Sequence, residues 1–421
     1  MMKKIWISGA MILAASTAYA ATSTTSVVET ISKGVTVVAG STVTSTADAA
    51  AAANAAAAAA LAALPIEPVP GAISTGLKQG QGQLPRLTTN FNTNALLIPS
   101  WGTGQVANSG APDVVGAFRF ICMPGQVLRD DPIVYPGQPG KSHLHQFFGN
   151  TGANAYSTYG SLRLKGDSTC TNMLNRSAYW IPAMLDGKGK VVRPDYVTIY
   201  YKRLPESSPN CQKQGKACVM LPRGMRYIFG YNMKTGEGGH FYFNCDGPTA
   251  TPGHYPDIVA AAKNCPTGNS LGVIITGPDC WDGRNLNSAD HRSHVGYGSY
   301  NWDGQYVCPK THPYILPTFT LGAWYKVDDN LDKSGEWDRS RSTWSLSSDT
   351  MPGMPMMRPG STFHADWLGA WDDDVMKMWT DNCINKLLNC SGGDLGNGKQ
   401  MKMRSDFSWD AKPRLVDIPA A

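Results

Sequence analysis

The sequence is poor in charged residues and has no hydrophobic run long enough to cross a membrane. Asp, Glu, Lys and Arg make up 16% of the 421 residues, against a usual share of about 25%. The apolar run at residues 5–15 is shorter than the roughly 20 residues that a membrane-spanning helix needs. Lysines and arginines are scattered, so no basic stripe for nucleic acid is visible. We therefore expect neither a permanent membrane anchor nor a nucleic-acid partner.

Several short catalytic and metal-binding motifs are also absent. No Cys-x-x-Cys occurs, which argues against thioredoxin-like redox chemistry and zinc ribbons. No His-Glu-x-x-His occurs either, and the acidic segment at residues 328–339 has Lys333 and Arg339 where a calcium-binding EF-hand requires glycine and glutamate.

The first part of the chain is typical of an exported protein. Lys3 and Lys4 precede the apolar run, and Ala18-Tyr19-Ala20 fits a cleavage site, so we predict a signal peptide at residues 1–20. Residues 21–87 are rich in Ser, Thr and Ala and offer little to bury, which predicts a low-complexity tether. The folded domain is predicted at residues 88–421, and the protein is expected to be secreted, periplasmic or at the cell surface.

Ten cysteines in an exported chain predict disulfide bonds. Cys211 and Cys218 bracket a segment with a glycine suited to a turn, so we expect a local bridge between them. Cys383 and Cys390 lie on one helical pattern. Seven positions of helix separate two residues by about 10 Å, too far for a bridge unless the helix ends between them.

The hydrophobic pattern predicts a mainly β protein. Short runs rich in Tyr, Phe, Val and Ile recur between Gly, Pro and Asn clusters, which favours a single disulfide-rich β-sandwich or jelly-roll-like domain with long loops. The predicted strands lie at residues 114–122, 196–202, 225–231, 239–244 and 271–276. One C-terminal helix is predicted at residues 372–388, where Asp372, Asp373 and Asp374 act as caps.

Histidines and aspartates recur together in three distant segments. His143 and His145 are two positions apart, so in an extended segment both rings point to the same side. If the three segments converge, they provide metal ligands or an acid and a base. The candidate catalytic residues are His143, His145, Asp290, His291, His294, His364 and Asp366.

Particular roles can be assigned to these residues as hypotheses. Asp366 or Asp290 would orient a histidine, while His145 or His294 would exchange a proton. The cofactor is left open; a divalent metal, if present, is expected on His143, His145 and His294. The alternative is that each loop histidine caps its own turn.

Aromatic and acidic residues near these segments are candidates for substrate binding. Trp281 and Trp371 are predicted to stack on a sugar ring, and Asp131 precedes the rigid Pro- and Gly-rich approach to His143. The alternative for Trp281, which begins a Trp-Asp-Gly step repeated at residues 302–304, is a buried ring beside an Asp-Gly turn.

Five longer segments stand out, in chain order: DDPIVYPGQPGKSHLHQFFGN, NRSAYWIPAML, CWDGRNLNSADHRSHVGY, CPKTHPYILP and FHADWLGAWD. Together they resemble a secreted bacterial and fungal family known as a domain of unknown function, over about residues 113–390. Some fungal members carry WSC carbohydrate-binding modules, which by analogy implies a polysaccharide partner. Asn287 and Ala370 depart from the aspartate and glycine that the family resemblance leads us to expect there.

Two functions are consistent with these observations. The first is an extracellular His/Asp-dependent enzyme, a hydrolase or lyase, that acts on a polysaccharide or cell-wall polymer. The second is a non-catalytic cell-wall or matrix protein that binds carbohydrate or metal. Ordinary glycosidases use two carboxylates rather than histidines, which counts against the commonest form of the first hypothesis.

Overall fold

The computed structural model describes residues 26–31, 35–40, 83–87, 89, 91–100, 115–212 and 217–420. The predicted signal peptide lies outside the described residues. Within the predicted tether, the strands Ser26–Ile31 and Val35–Gly40 form an antiparallel hairpin. Residues 83–87 are in contact with the domain, because Leu84 donates to the carbonyl of Arg223 at 3.1 Å. The packed region therefore begins slightly before the predicted boundary at residue 88.

A six-stranded sheet forms one half of the domain. The strand Tyr196–Arg203 shows why these residues form a sheet, because its side chains alternate between buried and half-buried. Neighbouring strands are antiparallel except for the last, which is parallel. In spatial order the strands are Phe241–Asp246, Ser270–Thr276, Thr318–Lys326, Tyr196–Arg203, Gly116–Cys122 and Asn389–Cys390.

A five-stranded antiparallel sheet forms the other half. Its three central strands are buried along their whole length, which explains their aromatic and apolar composition. In spatial order the strands are Arg226–Gly230, His364–Leu368, Ala178–Pro182, His145–Gly149 and Val127–Leu128.

The two sheets pack face to face around an aromatic core. Phe319 of the six-stranded sheet lies near its centre, with ring centroids 5.5 Å from Trp367, 5.4 Å from Phe229 and 5.8 Å from Tyr179 of the five-stranded sheet. Burial of such rings is the main favourable term in folding a domain of this kind. The predicted disulfide-rich β-sandwich is confirmed. The opposite face of the five-stranded sheet carries a second apolar cluster around Trp180.

Smaller elements close the ends of the sandwich. One four-stranded sheet contains, in spatial order, Ala217–Cys218, Tyr314–Ile315, Cys280–Trp281 and Val295–Gly296. A second four-stranded sheet contains Ser345–Leu346, Met184–Leu185, Lys190–Val192 and Leu415–Asp417. Two further strand pairs are Ser299–Tyr300 with Tyr306–Val307, and Lys399–Met401 with Leu97–Pro99. Short helices occupy Thr93–Leu96, Tyr159–Leu164, Pro209–Gln212, Ile258–Ala262 and Ser347–Thr350.

All ten cysteines form disulfides, and the predicted local bridge between Cys211 and Cys218 is confirmed. The remaining bridges join residues 7 to 48 positions apart and tie loops to the sandwich. The pairs are Cys122–Cys170, Cys245–Cys265, Cys280–Cys308 and Cys383–Cys390. Such cross-links stabilise a fold mainly by restricting the unfolded chain.

The C-terminal helix is present but shorter than predicted. It spans Asp373–Trp379, is capped by Asp372 as expected, and continues as a π-helical turn over Thr380–Ile384. The helix ends there because Leu387 has a φ of 59° and Cys390 joins the six-stranded sheet. In the described part of the chain, no helix has the length and apolar character needed to cross a bilayer.

Candidate functional site

Two of the predicted histidines flank the central strand of the five-stranded sheet. His145 begins one strand and pairs with Pro182. His364 begins the strand on the other side, in which Asp366 pairs with Trp180. Continuing that antiparallel register by two residues brings His364 level with Pro182. Both histidines therefore lie at the same end of the sheet, in neighbouring positions along one row.

His143 brings a third imidazole to this end of the sheet. It precedes the strand by two residues, and its ring centroid lies 4.1 Å from that of His145 and 5.1 Å from that of His364. The Nε2 atoms of His143 and His364 are 3.2 Å apart. One nitrogen from each of the three rings lies within 4.8 Å of the others. The three imidazoles thus form one cluster, which we call the histidine cluster.

Backbone carbonyls determine the tautomers of His145 and His364. The Nδ1 atom of His145 lies 3.0 Å from the carbonyl oxygen of Asp130, and that of His364 lies 2.9 Å from the carbonyl oxygen of Thr362. A carbonyl only accepts, so each Nδ1 carries the proton. In the neutral rings, both Nε2 atoms therefore carry a lone pair, and that of His364 faces Nε2 of His143.

His143 follows the same rule through a hydroxyl group. Its Nδ1 lies 3.0 Å from Ser347 Oγ and 3.3 Å from the carbonyl oxygen of Leu144. With the Ser347 hydroxyl proton on that carbonyl, Oγ accepts from Nδ1 of His143. In this tautomer the Nε2 of neutral His143 carries a lone pair too. Each of the three rings then has an unprotonated Nε2, and one nitrogen of each ring lies within 4.8 Å of the others.

Burial keeps the three rings neutral. It lowers the pKa of His143 to about 4 and that of His364 to about 3, and it holds the pKa of His145 well below its usual value. The cause is the cost of placing a positive charge away from water. Mutual repulsion among the rings adds to this effect at His145 and His364.

Two buried carboxylates lie beside His145. Oxygen atoms of Asp131 and Asp366 and a ring nitrogen of His145 lie within 4.8 Å of one another. Asp131 accepts hydrogen bonds from the backbone of Ile133 at 2.8 Å and Val134 at 2.9 Å. Among the described residues, neither carboxylate oxygen of Asp366 has a hydrogen-bond partner. Burial, followed by the neighbouring charge of Asp131, raises the pKa of Asp366 well above its usual value.

These residues open onto a cleft with a volume of about 460 Å³. Asp131, His143, His364 and Asp366 form its inner wall. The outer part carries charged and aromatic groups, namely Tyr135, Lys141, Tyr231, Lys234, Asp290, His291 and Arg292. All three of the sequence segments singled out by their histidines therefore contribute to one cleft.

His291 lies in this cleft but outside the histidine cluster. Its Nδ1 is 2.9 Å from Oδ1 of Asn287, and its backbone has a φ of 60°. Burial lowers its pKa. Asn287, where the family resemblance led us to expect an aspartate, therefore touches a cleft histidine directly through its side-chain amide.

The side chains of Asp290 and His294 are engaged in hydrogen bonds that hold their own loop together. Asp290 accepts hydrogen bonds from Ser288 and Ser293, which together hold its pKa below the usual range although burial opposes the charge. His294 is 1% exposed; its Nδ1 lies 2.9 Å from Ser288 Oγ and its Nε2 lies 3.0 Å from the carbonyl oxygen of Arg226. Both nitrogens of His294 are occupied, so it cannot be the third metal ligand, and proton exchange with a substrate is excluded by burial.

The two tryptophans assigned to sugar stacking lie in the interior. Trp281 is fully buried and donates to the carbonyl of Asn285 at 2.7 Å. Trp371 is 4% exposed and donates to Tyr201 Oη at 3.0 Å, with its ring edge-on to Phe120. Neither ring has a face open to a ligand. The stacking hypothesis is therefore wrong for both residues, and for Trp281 the alternative of a buried ring is correct.

Sequence reasoning missed several residues that line the cleft or contact its histidines. Ser347, which accepts from His143, lies in a segment without a recognisable motif, and so does Lys234. Lys141 is adjacent to the His143 segment, and its charge there could have been noticed. Tyr231 ends a predicted strand, but nothing local indicates that it reaches the cleft.

Comparison with protein families gives one match. The family described as Domain of unknown function (DUF1996) matches residues 131–371, more than half of the chain. The matched region begins at Asp131 and includes the histidine cluster and the loop around His291. Comparisons with curated proteins and with solved structures gave no match.

Proposed function

This chain belongs to the family Domain of unknown function (DUF1996), and we propose that it is an exported enzyme that acts on a polysaccharide. The observation that carries this proposal is the meeting of three distant His/Asp segments in one open cleft. Buried titratable groups with strongly shifted pKa values, gathered in a cleft, are characteristic of catalytic sites. A structural role for these histidines would not require access from solvent.

Two features support export: the predicted signal peptide and the paired cysteines. The predicted signal peptide would direct the chain out of the cytoplasm. All ten cysteines are paired, and disulfides of this kind persist in oxidising compartments. A secreted or cell-surface protein has access to polysaccharides and cell-wall polymers as possible substrates.

The surface beside the cleft supports a polymeric substrate. A neighbouring depression shares Asn232 and Arg292 with the cleft, and a third depression shares His240 with the second. Aromatic rings line this path, including Tyr297 in the second depression and Tyr242 in the third. Such a path suits a chain of sugar units, whose faces pack against aromatic rings.

The positions of the carboxylates favour histidine as the proton carrier. Asp131 and Asp366 lie side by side next to His145, so they cannot approach a glycosidic bond from opposite sides. His291 has a ring oriented by Asn287 and lies in the open part of the cleft. It can accept or return a proton, as either hydrolysis or β-elimination requires.

Product release from a polysaccharide panel tests the proposal. The disulfide-bonded protein, His143→Ala, His291→Ala and a control, His312→Ala, would be incubated with neutral and uronate-containing polymers. His312 is bonded to Thr311 and to the carbonyl of Ser293, outside the cleft. We expect at least a ~100-fold loss in the two cleft variants and little change in the control. Equal rates in all four proteins would refute the roles assigned to the cleft.

A non-catalytic carbohydrate-binding function is the second candidate. It is favoured by Trp302, which is 93% exposed, and Tyr300, which is 49% exposed, in and beside a short hairpin. Exposed rings of this kind can bind sugars without any reaction. Binding to insoluble polysaccharide that is lost in Trp302→Ala, with no product from any polymer, would favour this function over catalysis.

A further inference from the structure

We propose that His143, His145 and His364 bind one divalent transition-metal ion through their Nε2 atoms, with Asp366 as the adjacent carboxylate. The use of this ion in catalysis rests on the proposed function, whereas its binding does not. The proposal starts from the three convergent lone pairs of the histidine cluster, because lone pairs repel one another unless a positive charge lies between them.

The separation of the nitrogens matches a shared ion. Zinc–imidazole bonds of about 2.0–2.1 Å in tetrahedral geometry place two ligand nitrogens about 3.3 Å apart. The Nε2 atoms of His143 and His364 are 3.2 Å apart. The third nitrogen, on His145, lies within 4.8 Å of both. A small inward movement of one buried ring would complete a three-nitrogen set.

The hydrogen bonds on the far side of each ring are those of metal ligands. A metal-binding histidine almost always donates its other N–H to a carbonyl, carboxylate or water, which fixes the tautomer and the ring orientation. His145 and His364 donate to backbone carbonyls, and His143 donates to Ser347. Three separate segments of the chain thus each supply an acceptor for the Nδ1 proton of one ring.

A proton shared between two rings explains less of the geometry. With Nδ1 of both rings protonated, an N–H···N bond between His143 and His364 would require one ring to carry protons on both nitrogens, as a buried cation. It would also leave the Nε2 atom of His145 without a partner among the described residues. The Nε2 of His145 is fully buried and has no hydrogen-bond partner within the part of the chain that the structure describes. A cation at the centre satisfies all three nitrogens.

The ligand types select the class of metal. Imidazole nitrogens favour Zn²⁺, Cu²⁺, Ni²⁺ and Fe²⁺, whereas Ca²⁺ and Mg²⁺ favour sites made entirely of oxygen. The carboxylate of Asp366 supplies negative charge beside the ion and lacks a hydrogen-bond partner among the described residues. His143 and His364 line the cleft, so an ion held by the three histidines would match catalytic zinc sites, which keep one position for water or substrate.

Metal binding by purified protein without a histidine tag tests the inference. After chelation and dialysis, the protein would be titrated with Zn²⁺, and separately with Ca²⁺ and Mg²⁺, while heat release and thermal midpoint are measured. We expect one equivalent of Zn²⁺ per chain, a raised midpoint and no comparable binding of Ca²⁺ or Mg²⁺. Absence of Zn²⁺ binding would overturn the proposal.

Matched variants separate this site from adventitious binding. His143→Ala and His364→Ala should weaken Zn²⁺ at least ~100-fold, Ser347→Ala about tenfold, and His312→Ala not at all. Loss of Zn²⁺ affinity that is equal in all four variants, or absent from all four, would contradict the assignment. Circular dichroism would establish that each variant is folded. His143 is the first choice because it is only partly buried.

Cobalt gives a spectroscopic readout that does not depend on activity. Co²⁺ in a site of three nitrogens and one oxygen shows visible absorption bands, which should appear in the parent and vanish in His364→Ala. If the protein binds one equivalent of metal but releases product from no polymer, the proposed function is wrong and the metal site is confirmed. If the chelated protein releases product at the full rate, the ion has no part in catalysis and the proposed function is confirmed.

Discussion

Replacing Asp366 by asparagine should stabilise the metal-free protein, although the residue is buried at the centre of the candidate site. Asp366 is 1% exposed, and in the described chain neither of its oxygens has a hydrogen-bond partner. The carboxylate of Asp131 lies beside it. Asparagine has nearly the same volume and no ionisable group, so the packing is retained while the cost of keeping a carboxyl group away from water and beside Asp131 is removed.

The size of the effect follows from the cost of protonating a buried carboxyl group that the unfolded chain keeps ionised at pH 7. Each unit by which burial raises the pKa of such a group corresponds to about 1.4 kcal/mol, and asparagine does not carry this cost. Asp366→Asn should therefore raise the free energy of unfolding by about 1–3 kcal/mol, which corresponds to an increase of about 2–6 °C in the thermal midpoint of a domain of this size. Most core substitutions have the opposite sign.

Calorimetry of chelated protein at pH 7 would measure this shift. Asp131→Ala is the matched control, because Asp131 accepts two backbone hydrogen bonds at 2.8 and 2.9 Å. Its loss should lower the stability by about 1–3 kcal/mol. A decrease of 1 kcal/mol or more in Asp366→Asn would show that the carboxylate is well satisfied in the metal-free fold, and would refute the reasoning.

Three further outcomes are expected. Trp371→Ala should lower the free energy of unfolding by about 3–5 kcal/mol in urea denaturation; unchanged stability with altered sugar binding would contradict its place in the core. Asn287→Asp places a carboxylate beside Nδ1 of His291 and should raise the pKa of that histidine by about one unit or more, which an NMR titration would detect and an unchanged pKa would disprove. Burial raises the pKa of Asp349 to about 6, so its folded form holds the proton more tightly than the unfolded chain. The stabilisation from Asp349 is complete below about pH 4 and is lost as the pH rises through about 6, by about 3 kcal/mol in total; pH-dependent denaturation of Asp349→Asn should lack this component.

Metal loading should reverse the behaviour of Asp366. A carboxylate that is unpaired in the metal-free protein becomes a favourable neighbour of a divalent cation. The gain in thermal midpoint on adding Zn²⁺ should therefore be smaller in Asp366→Asn than in the parent. The two measurements together separate a residue kept for function from one kept for stability.

The strands and caps of this protein are encoded locally. The strand predicted at residues 196–202 is observed at Tyr196–Arg203, because alternation of apolar and polar side chains is a property of the segment itself. The N-terminal cap of the last helix was predicted from Asp372 for the same reason. Its C-terminal end was not, because a disulfide and pairing with a distant strand end the helix earlier than its own pattern indicates.

The composition of the histidine cluster depends on long-range pairing. Residue spacing alone placed His143 and His145 on one side of an extended segment. The choice between His294 and His364 as their neighbour was made by the register of the five-stranded sheet, which sets His364 level with Pro182. A local motif carries no information on which remote strand lies two strands away in the folded sheet.

Burial explains the remaining differences. Trp281 and Trp371 have the residue type of a sugar-binding platform, yet both rings fill the interior of the fold. Whether an aromatic ring meets solvent or other side chains depends on every element that packs around it. Residue types and spacing therefore establish which chemistry this chain can supply, and only the packed sheets decide which of those side chains share a cleft.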